Sequence, residues 1–147
     1  MDELRDRVKL LEMGLEDRLG DAIGSLSGGQ RQALTLLMAT WRKPALLLLD
    51  EHTAALDPKS ADQVVRVTEQ VIACHKLTTL MVTHSMQQAV NLGDQILMLH
   101  KGAVACRFSG ADKQRLQVHD LLARFEELRR REMLDETAAA LLEETYV

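Results

Sequence analysis

Apolar residues follow two spacings along the chain, and each spacing predicts one type of element. Helical spacing predicts helices over residues 4–15, 27–41, 57–75 and 86–92, and one or two more from Gln117 onward. Continuous apolar runs predict strands over 45–49 and 78–83. Lys101-Gly102 is a plausible two-residue turn between apolar segments 95–100 and 103–108. Strands separated by helices indicate an α/β fold with parallel crossovers, and the hairpin is expected to be its antiparallel edge.

The same pattern predicts burial and helix ends. Apolar residues surround the second predicted helix on nearly every side, so we expect that helix to be buried. The two continuous runs are typical of strands covered on both faces. Asp57-Pro58 predicts the start of the third helix, because Asp caps helices well and Pro suits the first helical position.

Composition excludes several function classes. The 147 residues include 18 Lys plus Arg and 22 Asp plus Glu, a net charge of -4 that argues against a nucleic-acid partner. Aromatic residues make up 3% of the chain, too few for a base-stacking platform. Two cysteines are typical of a reducing compartment. No apolar run reaches the roughly 18 residues of a membrane span, and the sequence has no Gly-x-x-x-x-Gly-Lys-Ser/Thr phosphate loop.

The first segment with candidate chemistry opens the second predicted helix. It reads Leu26-Ser27-Gly28-Gly29-Gln30. Two glycines, a hydroxyl and the positive end of a helix dipole suit a bound phosphate. The Ser-x-x-Gln spacing is equally that of a capping box, which satisfies the first helical N–H groups without any ligand. From these residues alone both interpretations stay open.

Polar residues also follow both predicted strands. Asp50 and Glu51 end the first, and carboxylates at that end of a parallel strand can hold Mg²⁺ or orient a water. His84 ends the second and can donate to a phosphoryl group. Taken singly, each of these residues is equally typical of an ordinary polar residue that faces solvent. Helix capping alone explains Asp57.

The order and spacing of these segments resemble the ATP-binding cassette family. Segment 26–30 is similar to its signature loop, 46–51 to the Walker B strand with a catalytic Glu, 55–57 to the D-loop, and His84 to the switch histidine. The resemblance implies a partial P-loop NTPase domain over residues 1–110, followed by a helical extension over 111–147.

The resemblance also implies roles for individual residues. Asp50 would coordinate Mg²⁺ through water, Glu51 would polarise the attacking water, and His84 would sense the γ-phosphate of ATP. Asp57 would couple two sites across a head-to-tail dimer. Four residues would contact ATP held mainly by the second ATPase subunit: Ser27, Gly28, Gly29 and Gln30.

The chain departs from the family pattern in three places. The phosphate loop would lie upstream of Leu26, where the sequence has no room for it, so we expect a C-terminal portion of a cassette that has no ATPase activity alone and exposes apolar surface. His52 replaces the usual Pro and invites a false interpretation as a dyad with Glu51. The segment after about Arg129 matches no motif of the family.

The resemblance further implies a transporter subunit with a transmembrane permease partner. Such a subunit would be cytoplasmic, on the inner face of the membrane, with no nucleic acid bound. Two alternatives stay open: a soluble cassette ATPase of DNA repair or translation, and a non-enzymatic interaction fragment in which the signature residues only cap and pack.

Overall fold

The computed structural model describes the backbone of residues 2–145 and the side chains of residues 3–134. The described chain divides between Val82 and Thr83 into two compact units, called the first and the second unit below. The helices are α1 Asp2–Lys9, α2 Gly28–Thr40, α3 Pro58–His75, α4 Met86–Asn91, α5 Gly110–Arg115 and α6 Val118–Thr145. The strands are β1 Leu47–Asp50, β2 Thr79–Val82, β3 Gln95–His100 and β4 Ala103–Ser109.

The first unit packs α1, α2 and α3 around the inner face of β1. Helix α2 begins after Ser27 and helix α3 begins at Pro58, one residue after the capping Asp57, as the sequence predicts. The core residues are Val8, Leu11, Leu15, Leu26, Ala33, Leu36, Leu37, Leu47, Leu49, Val67 and Leu77.

Helix α1 is shorter than predicted, because it ends at Lys9. Glu12 and Gly14 then adopt positive φ, which an α-helix cannot continue through. Leu11 and Leu15 keep their helical spacing and are buried, although they lie in the turn that follows and in a 3₁₀ turn. Arg7 fixes α1 to the end of α2, because its guanidinium stacks 4.3 Å from the Trp41 ring centroid and donates to the Trp41 carbonyl.

Strands β1 and β2 pair in parallel, with Leu48 opposite Leu80 and Asp50 opposite Val82. The predicted parallel crossover is therefore confirmed. These strands are not covered on both faces, because Leu48, Leu80 and Val82 are 64%, 53% and 48% exposed. This open face is the exposed apolar surface that the sequence predicts for a partial cassette. The prediction that α2 is buried all round is wrong, since Met38 is 61% exposed.

The second unit contains the hairpin and helices α4 to α6. Lys101 and Gly102 both have positive φ, so the two-residue turn predicted from their sequence forms. The small core contains Ile96, Leu116 and Leu121. The hairpin is not the edge of the parallel sheet, because β3 and β4 form a two-stranded sheet of their own. Helix α5 is a short element that the apolar spacing did not predict.

Candidate functional site

The Ser27 side chain caps the start of α2. The Gln30 N–H donates to Ser27 Oγ at 3.2 Å, and the Ser27 N–H donates back to Gln30 Oε1 at 3.0 Å. This reciprocal pair is the capping box that the Ser-x-x-Gln spacing predicts. The N–H groups of Gly28 and Gly29 are the first two of the helix and have no acceptor within it. The capping box and a phosphate contact by these two N–H groups are therefore compatible.

The two glycines bring the start of α2 close to the segment that leads into α3. A Cβ atom on Gly28 would lie 3.0 Å from Leu56 Cδ2, and one on Gly29 would lie 3.1 Å from Ser60 Cβ. Both distances are shorter than ordinary van der Waals contact. A side chain at Gly28 would displace the flexible end of Leu56, and one at Gly29 would crowd Ser60. The two glycines therefore allow segments 26–30 and 55–60 to pack closely whether or not a ligand binds.

Asp50 and Glu51 lie at the carboxyl end of β1 and are exposed. The Glu51 N–H donates to the Val82 carbonyl at 3.0 Å, which extends the parallel pairing by one residue. Glu51 itself has a φ of 43°, in the left-handed region that a residue with a Cβ disfavours. The chain turns at this residue, and strained backbone of this kind is often found at functional sites.

Residues 51–57 form a compact connection between the carboxylates and helix α3. The Ala54 N–H donates to the Glu51 carbonyl at 2.9 Å, and the Leu56 N–H donates to the Thr53 carbonyl at 3.2 Å. Asp57 ends the connection, where hydrogen bonds from the Ser60 hydroxyl and N–H hold the pKa of the exposed Asp57 carboxyl below its usual value. Glu51 is therefore linked through a hydrogen-bonded turn to Leu56, which contacts Gly28.

The His52 side chain packs against α3. Its Nε2 lies 3.2 Å from Thr68 Oγ1, and the same hydroxyl donates to the Val64 carbonyl at 2.8 Å. A hydroxyl has one proton, so Thr68 accepts from His52, which must carry its proton on Nε2. Burial lowers the pKa of His52. These contacts give His52 a structural role and argue against a dyad with Glu51.

His84 lies two residues beyond β2, is exposed, and belongs to the second unit. Its neighbours start helix α4: the Gln88 N–H donates to Ser85 Oγ at 3.3 Å, and the Ser85 N–H donates to Thr83 Oγ1 at 3.1 Å. The fold therefore defines the backbone on both sides of His84. Its role as a phosphate sensor stays a prediction.

A polar network that the motif spacing does not predict lies beside the signature segment. Arg18 Nη1 donates to Gln30 Oε1 at 3.1 Å, and Gln30 Nε2 donates to the Met13 carbonyl at 3.0 Å. Both ends of the Gln30 amide are thus held within the chain. No periodicity connects residue 18 with residue 30, so this network could not be predicted from the sequence.

The residues present can supply part of a magnesium site. Within the described part of the chain, no group of three or more His, Cys, Asp and Glu side chains is placed to hold a metal ion. Mg²⁺ in phosphoryl-transfer sites needs only one or two carboxylates, with waters and phosphate oxygens as the other ligands. Asp50 fits that requirement as a single carboxylate. Among the described helices, none has the length and apolar character needed to cross a membrane.

Comparison with known proteins supports the resemblance drawn from the motifs. Residues 1–54 match the family model for ABC transporters. The chain is 43% identical over 116 residues to a tyrosine transport ATP-binding protein of Clostridioides difficile, a match that covers 79% of the chain and 46% of that protein. It is 45% identical over 101 residues to the aliphatic sulfonates import ATP-binding protein SsuB of Burkholderia ambifaria, a match that covers 69% of the chain and 32% of that protein. The chain thus spans less than half the length of these two relatives.

A solved structure supports the fold as well. A bacterial Atm1-family ABC exporter with ATP bound superposes with a TM-score of 0.58 over 84% of this chain and 23% of the exporter chain, at 23% sequence identity. This likeness confirms the α/β fold as that of part of an ABC ATPase domain. Taken with the family match over residues 1–54 and the two ATP-binding relatives, it shows that the chain is similar to part of the ABC transporter ATP-binding proteins.

Proposed function

We propose that this chain is part of a transporter ATPase subunit that couples ATP hydrolysis to solute transport. The observation that carries the proposal is the linked arrangement in the first unit. Exposed carboxylates follow β1, and a hydrogen-bonded turn connects them to the segment packed against Gly28 and Gly29. The relatives named above are transport ATP-binding proteins with different solutes, which supports transport and leaves the solute open.

In this proposal each predicted residue keeps a distinct task. Glu51 orients the attacking water, and Asp50 supplies one carboxylate to Mg²⁺, which would neutralise charge on the phosphates when bound. Ser27, Gly28 and Gly29 present a hydroxyl and two N–H groups to the γ-phosphate of ATP held mainly by a second copy. Gln30 belongs to the same segment. His84 senses that phosphate.

Asp57 and the turn before it connect two sites in a head-to-tail dimer. Leu56 touches Gly28, so a shift of the turn after Glu51 is transmitted to the signature segment by direct contact. Closure of the dimer on ATP and its opening after hydrolysis would move an attached transmembrane permease. The subunit would then lie on the cytoplasmic face of the membrane, without nucleic acid, with residues 1–110 in the nucleotide-binding domain and 111–147 as an extension.

The phosphate loop must come from residues outside segment 1–147, because the Gly-Lys-Ser/Thr sequence is missing from it. The 147-residue chain alone is therefore expected to bind Mg-ATP weakly and to lack ATPase activity. Saturation of the chain by micromolar Mg-ATP in a calorimetric titration would contradict this expectation.

The experiment that tests the function is a chimera. The segment of the Clostridioides difficile relative that precedes the matched region is fused to this chain, and ATP hydrolysis is measured with Mg²⁺. We expect activity that falls about 100-fold or more in Glu51→Gln, since general-base groups contribute that much. Glu69→Gln is the matched control, because Glu69 is an exposed carboxylate on α3. Equal activity in both variants would refute the assigned role of Glu51.

A non-enzymatic interaction fragment is the second candidate, and one observation favours it. The capping box and the close glycine packing explain Ser27, Gly28, Gly29 and Gln30 without a nucleotide. The same chimera separates the two candidates. An inactive chimera that remains folded, as judged by circular dichroism and a cooperative urea transition, would favour the interaction fragment.

A further inference from the structure

Arg18 makes polar contacts with three separate positions through all three nitrogens of its guanidinium. Its Nε lies 2.7 Å from Asp21 Oδ2, its Nη1 donates to Gln30 Oε1 at 3.1 Å, and its Nη2 donates to the Ser25 carbonyl at 3.2 Å. Such a planar fork fixes the relative positions of its acceptors, which a lysine cannot do.

The loop around Arg18 has little regular structure of its own. Between Gly14 and Ser27 the backbone forms only two short 3₁₀ turns, Leu15–Asp17 and Ile23–Ser25. Ser25 Oγ donates to the Ala22 carbonyl at 2.8 Å, which closes the second turn on itself. Together with the buried Leu15 and Leu26, the side-chain contacts of Arg18 hold this loop against the start of α2.

Gln30 is the point at which the loop meets the signature segment. Its Oε1 accepts from both Arg18 and the Ser27 N–H, and its Nε2 donates to the Met13 carbonyl. With Oε1 and Nε2 both engaged, the amide has one defined orientation. That orientation holds the Ser27 backbone in place, and Ser27 in turn carries the hydroxyl next to Gly28 and Gly29.

We propose that Arg18 and Gln30 are positioning residues that align the Ser27–Gly29 segment for the γ-phosphate, with Gln30 acting through its intramolecular bonds. This inference rests on the proposed function and refines the role of Gln30 within it. Asp21 assists by accepting from Arg18 Nε, a charge-assisted bond that leaves Nη1 directed at Gln30. Misplacement of a reacting group by about 1 Å can lower a rate by about 100-fold, so a loose segment is costly.

The first test uses the 147-residue chain and amide hydrogen exchange by nuclear magnetic resonance. Arg18→Gln is expected to speed exchange of the Ser27 and Gln30 amide protons by about tenfold relative to the unmodified chain, since Ser27 loses a rigid acceptor. Arg7→Gln is the matched control: the Arg7 side chain is 34% exposed against 35% for Arg18, and both form an ion pair and donate to a backbone carbonyl. Unchanged Ser27 exchange in Arg18→Gln would overturn the inference.

The second test measures hydrolysis in the chimera described above. Arg18→Gln should lower kcat about tenfold and leave KM for ATP within about twofold, because the other copy holds most of the nucleotide. Arg18→Lys keeps the positive charge but lacks the planar set of guanidinium donors. It should therefore have the stability of the parent chimera but the lowered kcat of Arg18→Gln. It also keeps the test informative if Arg18→Gln unfolds.

The outcomes separate this inference from the proposed function. A chimera whose hydrolysis does not depend on Glu51 refutes the proposed function itself. An active, Glu51-dependent chimera in which Arg18→Gln, Arg18→Lys and Arg7→Gln all have the parent kcat refutes only the positioning role. If Arg18→Lys has the parent kcat while Arg18→Gln does not, the positioning role is also refuted, because the charge alone would then be sufficient without the three-point contact of the guanidinium.

Discussion

At the scale of single residues, the backbone of Glu51 is in a conformation that its side chain disfavours. Its φ of 43° costs a residue with a Cβ about 1 kcal/mol, and glycine avoids this cost. We predict that Glu51→Gly raises the free energy of unfolding by about 1 kcal/mol, measured by urea denaturation. Glu51→Gln keeps the Cβ and is the control.

If Glu51→Gly is more stable and also abolishes hydrolysis in the chimera, the strained backbone at this position is retained because activity requires the Glu51 side chain. Many functional sites show this exchange of stability for activity. Equal unfolding free energies for Glu51→Gly and Glu51→Gln would show that the turn accommodates a side chain without cost.

The half-buried imidazole of His52 makes stability depend on pH. Its pKa is lowered in the folded chain by burial, so between that lowered pKa and the ordinary value near 6.5 the unfolded chain binds more protons. The His52 contribution to the unfolding free energy is therefore complete above about pH 6.5 and is lost as the pH falls below it. We predict that His52→Gln weakens the decline in stability from pH 7.5 to pH 5.5, measured by urea unfolding at each pH.

Thr68→Val separates burial from hydrogen bonding at the same position. It removes the hydroxyl that accepts from His52 but leaves the imidazole half-buried. We expect it to lower stability by about 1 kcal/mol at every pH and to keep the pH dependence. A flat profile in Thr68→Val would show that the hydrogen bond, and not burial, controls the titration of His52.

At the scale of elements, local signals predicted the starts of α2 and α3 and the hairpin turn, whereas contacts with other elements determined burial. The Ser27 and Asp57 caps and the Lys101-Gly102 turn depend on residues within one turn of chain, so the sequence was sufficient to predict them. Exposure of Leu48 depends on whether another segment lies across the sheet, which an apolar run does not reveal.

The contact between α2 and α3 depends on the absence of a side chain at Gly29. A methyl group there would lie 3.1 Å from Ser60 Cβ, so α3 would have to shift by a few tenths of an ångström. We predict that Gly29→Ala lowers the unfolding free energy by about 1–3 kcal/mol, despite the higher helix propensity of Ala. Gly24→Ala is the control and should stay within about 0.5 kcal/mol, because nothing lies within 4 Å of its Cβ position.

Removing the opposing atom tests whether that contact is the cause. In the Gly29→Ala background, Ser60→Gly should recover most of the lost stability, as a coupling energy in a double-mutant cycle. Additive effects of the two substitutions would place the cost of Gly29→Ala elsewhere, for example on the Met13 side chain 3.4 Å away.

At the scale of the whole molecule, the candidate site could be predicted in its parts but not in its connections. Sequence order located the carboxylates, which follow the apolar run 45–49, and the signature segment, which opens an apolar helix. The contacts of Leu56 with Gly28 and of Arg18 with Gln30 join positions 28 and 12 residues apart, and no periodic pattern links them. Such contacts depend on how separate elements pack.

The exposed face of the parallel sheet predicts the solution behaviour of the chain. Leu48 and Leu80 are cross-strand neighbours, 64% and 53% exposed, and among the described residues β1 pairs only with β2. Apolar side chains on a sheet with open strand edges favour association between copies. We predict that the 147-residue chain self-associates as its concentration rises, and that Leu48→Lys with Leu80→Glu shifts it toward monomer in sedimentation velocity.

The control replaces another exposed leucine of the first unit with lysine. Leu10 is 71% exposed, directly follows α1 and is not part of the parallel sheet, so Leu10→Lys should leave association unchanged. Because surface substitutions alter stability by only about 0.5 kcal/mol, the double variant should remain folded. A parent chain that stays monomeric, or association that persists in the double variant, would show that this face does not drive contact between copies.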